Sequence, residues 1–274
     1  MTASIEQQAK EAADEFRRKH RLGVQPLGDL VAFIEQTTGY DLAILDADPD
    51  EHGLTMRDPL RSAIFIGVAR SRHPMRQRST LAHELGHLVF EGWNDEAEFE
   101  KRSPDEIRAD AFARHLLIPI EGVKEFLGDR ESASEADLAA VVQRYLVSPA
   151  IAAIAMRDAG YINQSTAQDW MRYRTSQLAT RYGWSDHYAA LQDDSDRLRA
   201  PQSLVARAVE GYAEGIVSAQ VIATLRGVSV DAVREDLEEA GVVPVQHEAT
   251  DLSLEDFPDV DVDLSDLEDE GASP

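Results

Sequence analysis

Residues 79–90 read STLAHELGHLVF, and whether this stretch is a metal site or an ordinary amphipathic helix decides the fold. His83 and His87 are four residues apart, so on a helix they share one face and can aim one ring nitrogen each at a common point. Glu84 lies beside that face, placed to contact a water on a metal rather than the metal itself. Leu81, Leu85, Leu88 and Val89 give the same stretch an apolar side, and Gly86 leaves room for close backbone approach. A glutamate at position 84 of such a helix is poorly placed unless a cation or a partner receives it. Ser79 or Thr80 is the expected N-cap.

A catalytic zinc takes three protein ligands and keeps one open position. The chain has no cysteine, which excludes a disulfide framework and a thiolate nucleophile and leaves His, Asp and Glu to hold a metal. The expected third ligand is Glu106, in SPDEIRADAFARHLLIP (103–119). It stands on the first turns of a helix capped by Ser103 with Pro104 at the first helical position. That helix suits an antiparallel return past the metal. Asp110 follows Glu106 at i+4 and is expected to accept a hydrogen bond from the outer nitrogen of a ligand histidine. Asp105 points about a hundred degrees away from Glu106. His115 lies near the opposite face and is read as structural. The alternative for Glu106 and Asp110 is a solvated helix face.

The rest of the chain supplies a setting. Residues 4–20 read as a polar helix, and PLGDLVAFIEQTTG (26–39) as a helix ended by Gly39. Three strand-like runs follow at 40–45, 53–57 and 62–68, the last two joined by Asp-Pro turn chemistry that suggests an antiparallel pair. Residues 134–146 and 149–159 form a helix pair, 163–200 is polar and helical, and 203–240 reads as short helices with a sharp turn at Gly227. The expected organisation is a first domain over 1–160, a helical connecting segment over 161–202, a small helix-turn-helix-like unit over 203–243 and an acidic disordered tail over 244–274.

Charge narrows the partners. Residues 248–270 carry eleven acidic side chains and no Lys or Arg, close to half of the net charge of −24. Such a chain is repelled by phosphate, so direct nucleic-acid binding is disfavoured. The second helix of the 203–243 unit carries Asp231, Glu235, Asp236, Glu238 and Glu239 against Arg234 alone, which opposes DNA contact there too. The exception is the stretch before the metal motif, where Arg57, Arg61, Arg70, Arg72, Arg76 and Arg78 face a single acid, Asp58. It reads either as a solvated loop or as a docking patch, and the acidic tail could fold over it. No secretory signal and no run near the roughly 20 apolar residues of a membrane helix is present, so a cytoplasmic protein is expected.

The two motifs, RQRSTLAHELGHLVF (76–90) and EIRADAFARHLLIP (106–119), resemble the ImmA/IrrE-type zinc metallopeptidases, bacterial proteases tied to mobile-element immunity and stress-response repressors. The resemblance runs over about residues 20–160. It implies an α+β fold: a mostly helical, zincin-like metallopeptidase domain with a small antiparallel sheet, then a helical C-terminal region and the acidic tail. It also implies Zn2+ on His83, His87 and Glu106, with Glu84 as general base. Two departures stand out, FIGVARS (65–71) in place of an asparagine-containing strand end and Asp110 where asparagine is frequent; neither removes a ligand.

The implied activity is that of a zinc-dependent endopeptidase, a hydrolase cutting a transcriptional repressor or similar regulatory protein at one site. The bound zinc would activate water and polarise the scissile carbonyl, with Glu84 moving the proton. The strand at 62–68 is expected to border the cleft and hold an extended peptide by strand addition. The competing expectation is a non-proteolytic regulator, binding a partner or DNA, that keeps a zinc site.

Overall fold

The computed structural model describes residues 4–47, 53–58, 60, 63–90 and 103–245. The acidic tail from residue 246 onwards and Arg61 of the arginine-rich stretch lie outside the described residues.

Helix α1 (Ile5–Lys19) starts at Ser4, whose hydroxyl accepts from Gln7 N, and buries Ala9, Ala13 and Phe16. Its small residues let it lie close along α4 (Pro104–Leu117), where Phe16 meets Phe112 edge-on at 6.2 Å. Helix α2 (Leu30–Thr38) begins at the Asp29 cap and stops at Gly39, whose φ of +74° is the left-handed C-cap conformation that glycine adopts freely. Three strands follow, β1 (Asp41–Leu45), β2 (Leu54–Asp58) and β3 (Ala63–Ala69), in the order β1-β3-β2.

The β2–β3 pair is antiparallel, with Thr55 opposite Ile66. β1 is parallel to β3, with Leu42 opposite Ile66, so the sheet is mixed rather than wholly antiparallel. The reason is connectivity: β2 turns back directly into β3, whereas β1 reaches β3 only through the intervening β2 excursion and so arrives in the same direction. β3 is flanked on both sides, and the strand expected to take a peptide therefore has no free edge. The outer side of β1 is bridged by Arg199, which exchanges two backbone hydrogen bonds with Ile44. Among the described residues the open edge belongs to β2.

Helix α3 (Pro74–Val89) carries the opening motif and begins five residues before Ser79. Pro74 supplies a preset φ at the first position, and Ser79 and Thr80 turn their hydroxyls back to the carbonyls of Met75 and Arg76 instead of capping. Helix α4 starts at Ser103 as expected, with Ser103 Oγ accepting from Glu106 N. α3 and α4 lie close because Gly86 faces the backbone of Ala109; a Cβ there would stand 3.1 Å from Ala109 Cα and from the Phe112 ring.

The helices after α4 complete the core. α5 (Ile120–Leu127) precedes α6 (Glu135–Tyr145), which opens with a Ser134/Asp137 capping box, and α7 (Pro149–Asp158) follows at 110° to α6. No single helix among the described residues is long and apolar enough to cross a membrane. α8 (Gln164–Trp170), α9 (Thr175–Arg181) and α10 (Ser185–Ser195) make up the polar segment, and they insert Trp170 and Trp184 into the main core. α11 (Gln202–Ala213), α12 (Ala219–Arg226) and α13 (Val230–Glu239) enclose a separate small cluster of Ala208, Ala219, Ile222, Ala223, Val233 and Leu237.

Candidate metal centre

The site is built where α3 and α4 touch. His83 and His87 project from one face of α3, and their Nε2 atoms are 2.9 Å apart. From α4, Glu106 sets Oε2 3.1 Å from His83 Nε2 and Oε1 3.3 Å from His87 Nε2. One ligand atom from each of the three lies within 4.8 Å of the others, so the group could hold a metal ion. Two imidazoles and one carboxylate are a donor set that suits zinc and leave a fourth position for water or substrate. The residues present therefore fit the metal that the sequence implies.

Asp110 completes the arrangement from one turn further along α4. Its Oδ1 lies 2.7 Å from His83 Nδ1, which fixes the ring and leaves Nε2 directed at the cluster. Burial of the His83 ring disfavours protonation, but the Asp110 hydrogen bond and charge, with Glu106 and Glu84, outweigh it and raise the pKa above its ordinary value. Asp105, by contrast, pairs with Arg108 and does not join the cluster. His115 is buried on the far side of α4, where its Nε2 donates to Glu6 at 2.7 Å.

Glu84 is buried and points toward β2, where Thr55 Oγ1 donates to its Oε2 at 2.6 Å. Gly53, just before β2, lies so close that a Cβ on it would stand 2.5 Å from Glu84 Cγ. Neither residue was singled out from the sequence. A glycine opening a short strand is a signal of close backbone approach, yet which side chain approaches it depends on the tertiary packing.

Three of the six arginines in the arginine-rich stretch are taken up by the fold. Arg78 donates to the carbonyls of Leu27 and Gly28 at 2.6 Å each and to Leu146 at 3.2 Å. Arg70 pairs with Asp46, and Arg72 with Asp193 of α10. The polar segment 163–200 thereby acquires a role, because α10 braces the start of α3. Gln77 donates to the carbonyls of Ala69 and Ser195, and Ser195 donates its hydroxyl to Ser71 O at 2.6 Å.

No curated protein matches the chain. A family profile does: residues 34–157, which contain α3, α4 and the whole sheet, match Peptidase_M78, the IrrE N-terminal-like domain, a family of metallopeptidase type. Over residues 34–157, a little under half of its length, the chain is similar to that metallopeptidase-type family.

Proposed function

We propose that the protein is a zinc-dependent endopeptidase that cuts a regulatory protein, with a transcriptional repressor as the substrate class. The observation that carries the reading is the convergence of His83, His87 and Glu106 from two helices, with a buried carboxylate, Glu84, beside them. In this reading the three residues hold Zn2+, and Asp110 orients His83. Bound zinc supplies Lewis-acid activation of water and of the scissile carbonyl. Glu84 takes a proton from the attacking water and passes it to the departing amine, so the newly formed carboxylate and the free amine account for the water consumed. An extended peptide aligns along the open edge of β2, taking main-chain hydrogen bonds there.

A DNA-binding role has less support. Along α12 and α13 the two arginines are already paired, Arg226 with Asp236 and Arg234 with Asp231, which leaves an acidic surface.

The test is metal analysis of the wild type beside His83→Ala, Glu106→Ala and Glu84→Gln, followed by incubation of each with transcriptional repressors and mass measurement of the fragments. About one zinc per chain is expected in wild type and Glu84→Gln, with little in the two ligand variants. Cleavage is expected from wild type alone. Undiminished cleavage by Glu84→Gln would overturn the mechanism.

A further inference from the structure

We infer that Thr55 is a positioning residue for Glu84, and that β2 sets the general base as well as presenting the open sheet edge. The inference rests on the proposed role of Glu84 and adds what holds that side chain in place. A glutamate has three side-chain torsions, and proton transfer needs its carboxylate within hydrogen-bond reach of one defined water. The helix alone does not provide this, because α3 fixes only where the Glu84 side chain begins.

Two independent contacts, one from β2 and one from the residue just before it, supply the rest. The Thr55 hydroxyl donates to Oε2 at 2.6 Å, within the normal range of an O–H···O hydrogen bond. It occupies one carboxylate oxygen, while Oε1 takes no hydrogen bond among the described residues and stays available for a proton. Gly53 provides the second contact. Its bare Cα leaves the space that the Glu84 side chain fills, and any Cβ would meet Cγ, Cδ and Oε1 at 2.5 to 2.7 Å. The carboxylate is thus gripped at one oxygen by β2 and confined along its stem by the residue that leads into it.

The consequence is mechanical. Thr55 is held opposite Ile66 in the β2–β3 ladder, so the hydroxyl is fixed by the sheet rather than by a loop. A peptide added along β2 and the base that moves its proton then share one rigid frame, the condition under which small errors in geometry are avoided.

The experiment uses the zinc-loaded full chain and acetohydroxamate, a probe that chelates a catalytic zinc and shares its acidic proton with the neighbouring carboxylate base. Hydroxamate affinity reads the position of Glu84, and zinc affinity by chelator competition reads the ligand set. Thr55→Val is expected to keep zinc affinity within about twofold and to lose about tenfold in hydroxamate affinity, a difference of about 1.4 kcal/mol. Thr55→Ser, which restores the hydroxyl, should recover most of that loss, and Gly53→Ala should resemble Thr55→Val. Wild-type hydroxamate affinity in Thr55→Val would overturn the inference, as would a serine variant no better than the valine one. If wild type binds hydroxamate but cuts no peptide, the peptidase reading falls while the valine–serine comparison still decides Thr55. If wild type takes up no zinc or no hydroxamate, both fall.

Discussion

His83 Nδ1 lies 2.7 Å from Asp110 Oδ1, while the opposite nitrogen of the same ring lies 3.1 Å from Glu106 Oε2. One imidazole is therefore gripped by two carboxylates set one turn apart on α4, one on the side shared with His87 and one behind it. The ring cannot turn without breaking the Asp110 bond.

Asp110→Ala should weaken zinc retention by about tenfold without abolishing it. Partners of this kind are worth 10- to 100-fold, and the lower end applies because the Asp110 side chain is 74% exposed and its bond competes with water. Competition against a chromophoric chelator measures it. An affinity equal to wild type would remove Asp110 from the site.

Gly86→Ala should loosen the seam between α3 and α4. The added methyl meets Ala109 Cα at 3.1 Å and Ala109 O at 3.3 Å, and a helix backbone cannot step aside as a flexible side chain can. A cost of about 1–3 kcal/mol is expected from overpacking. Because that seam sets the spacing between the α3 histidines and Glu106, zinc affinity should fall in parallel. A variant with unchanged melting temperature and metal affinity would show that the helices have room to spare.

Arg78→Lys should destabilise the fold by about 2 kcal/mol or more, although the charge is retained. The guanidinium satisfies three carbonyls from two separate segments, and an ammonium on a single stem cannot span them. Burial pulls the Arg78 pKa down to about 10, so it remains charged at neutral pH and the loss should not depend on pH near 7. Denaturant unfolding at pH 7 gives the answer; an unshifted midpoint would contradict it.

The α1–α4 joint should weaken in acid. Burial lowers the His115 pKa below its usual 6.5, so the unfolded chain binds the extra proton and stability is lost as pH falls from 6.5 through the folded value. Burial raises the Glu6 pKa, but hydrogen bonds and charge from Arg114 and His115 outweigh it, and the net shift is below 4.5. Glu6 therefore contributes above 4.5 and loses its contribution as pH falls through its own folded value. Melting temperature should start to decline below about pH 6.5, and His115→Gln, which can still donate to Glu6, should flatten the first part of that decline. An identical profile in the variant would assign the acid sensitivity elsewhere.

Much of the metal group could be read along the chain because helical spacing is local. His83 with His87, and Glu106 with Asp110, are each four apart, and Ser103-Pro104 marks where the second helix begins. The 19-residue step from His87 to Glu106 suits an antiparallel return of the second helix, and the Gly86–Ala109 contact is the physical basis for the close approach. The arginine-rich stretch misled in part: a count of charges cannot show that Arg78 ends among carbonyls and Arg72 on α10.

The sequence by itself determined the candidate donor types, their spacing on each helix, the lack of any sulfur donor from cysteine and the elements that carry the His83, His87 and Glu106 group. Tertiary structure alone decided that β1 joins β3 in parallel, that β2 rather than β3 holds the open edge, that α10 braces α3, and that Thr55 and Gly53 meet Glu84. The division has one cause. Residues three or four apart are brought together by the helix itself, whereas Thr55 and Glu84, 29 positions apart, meet only after the whole core has packed sheet against helix.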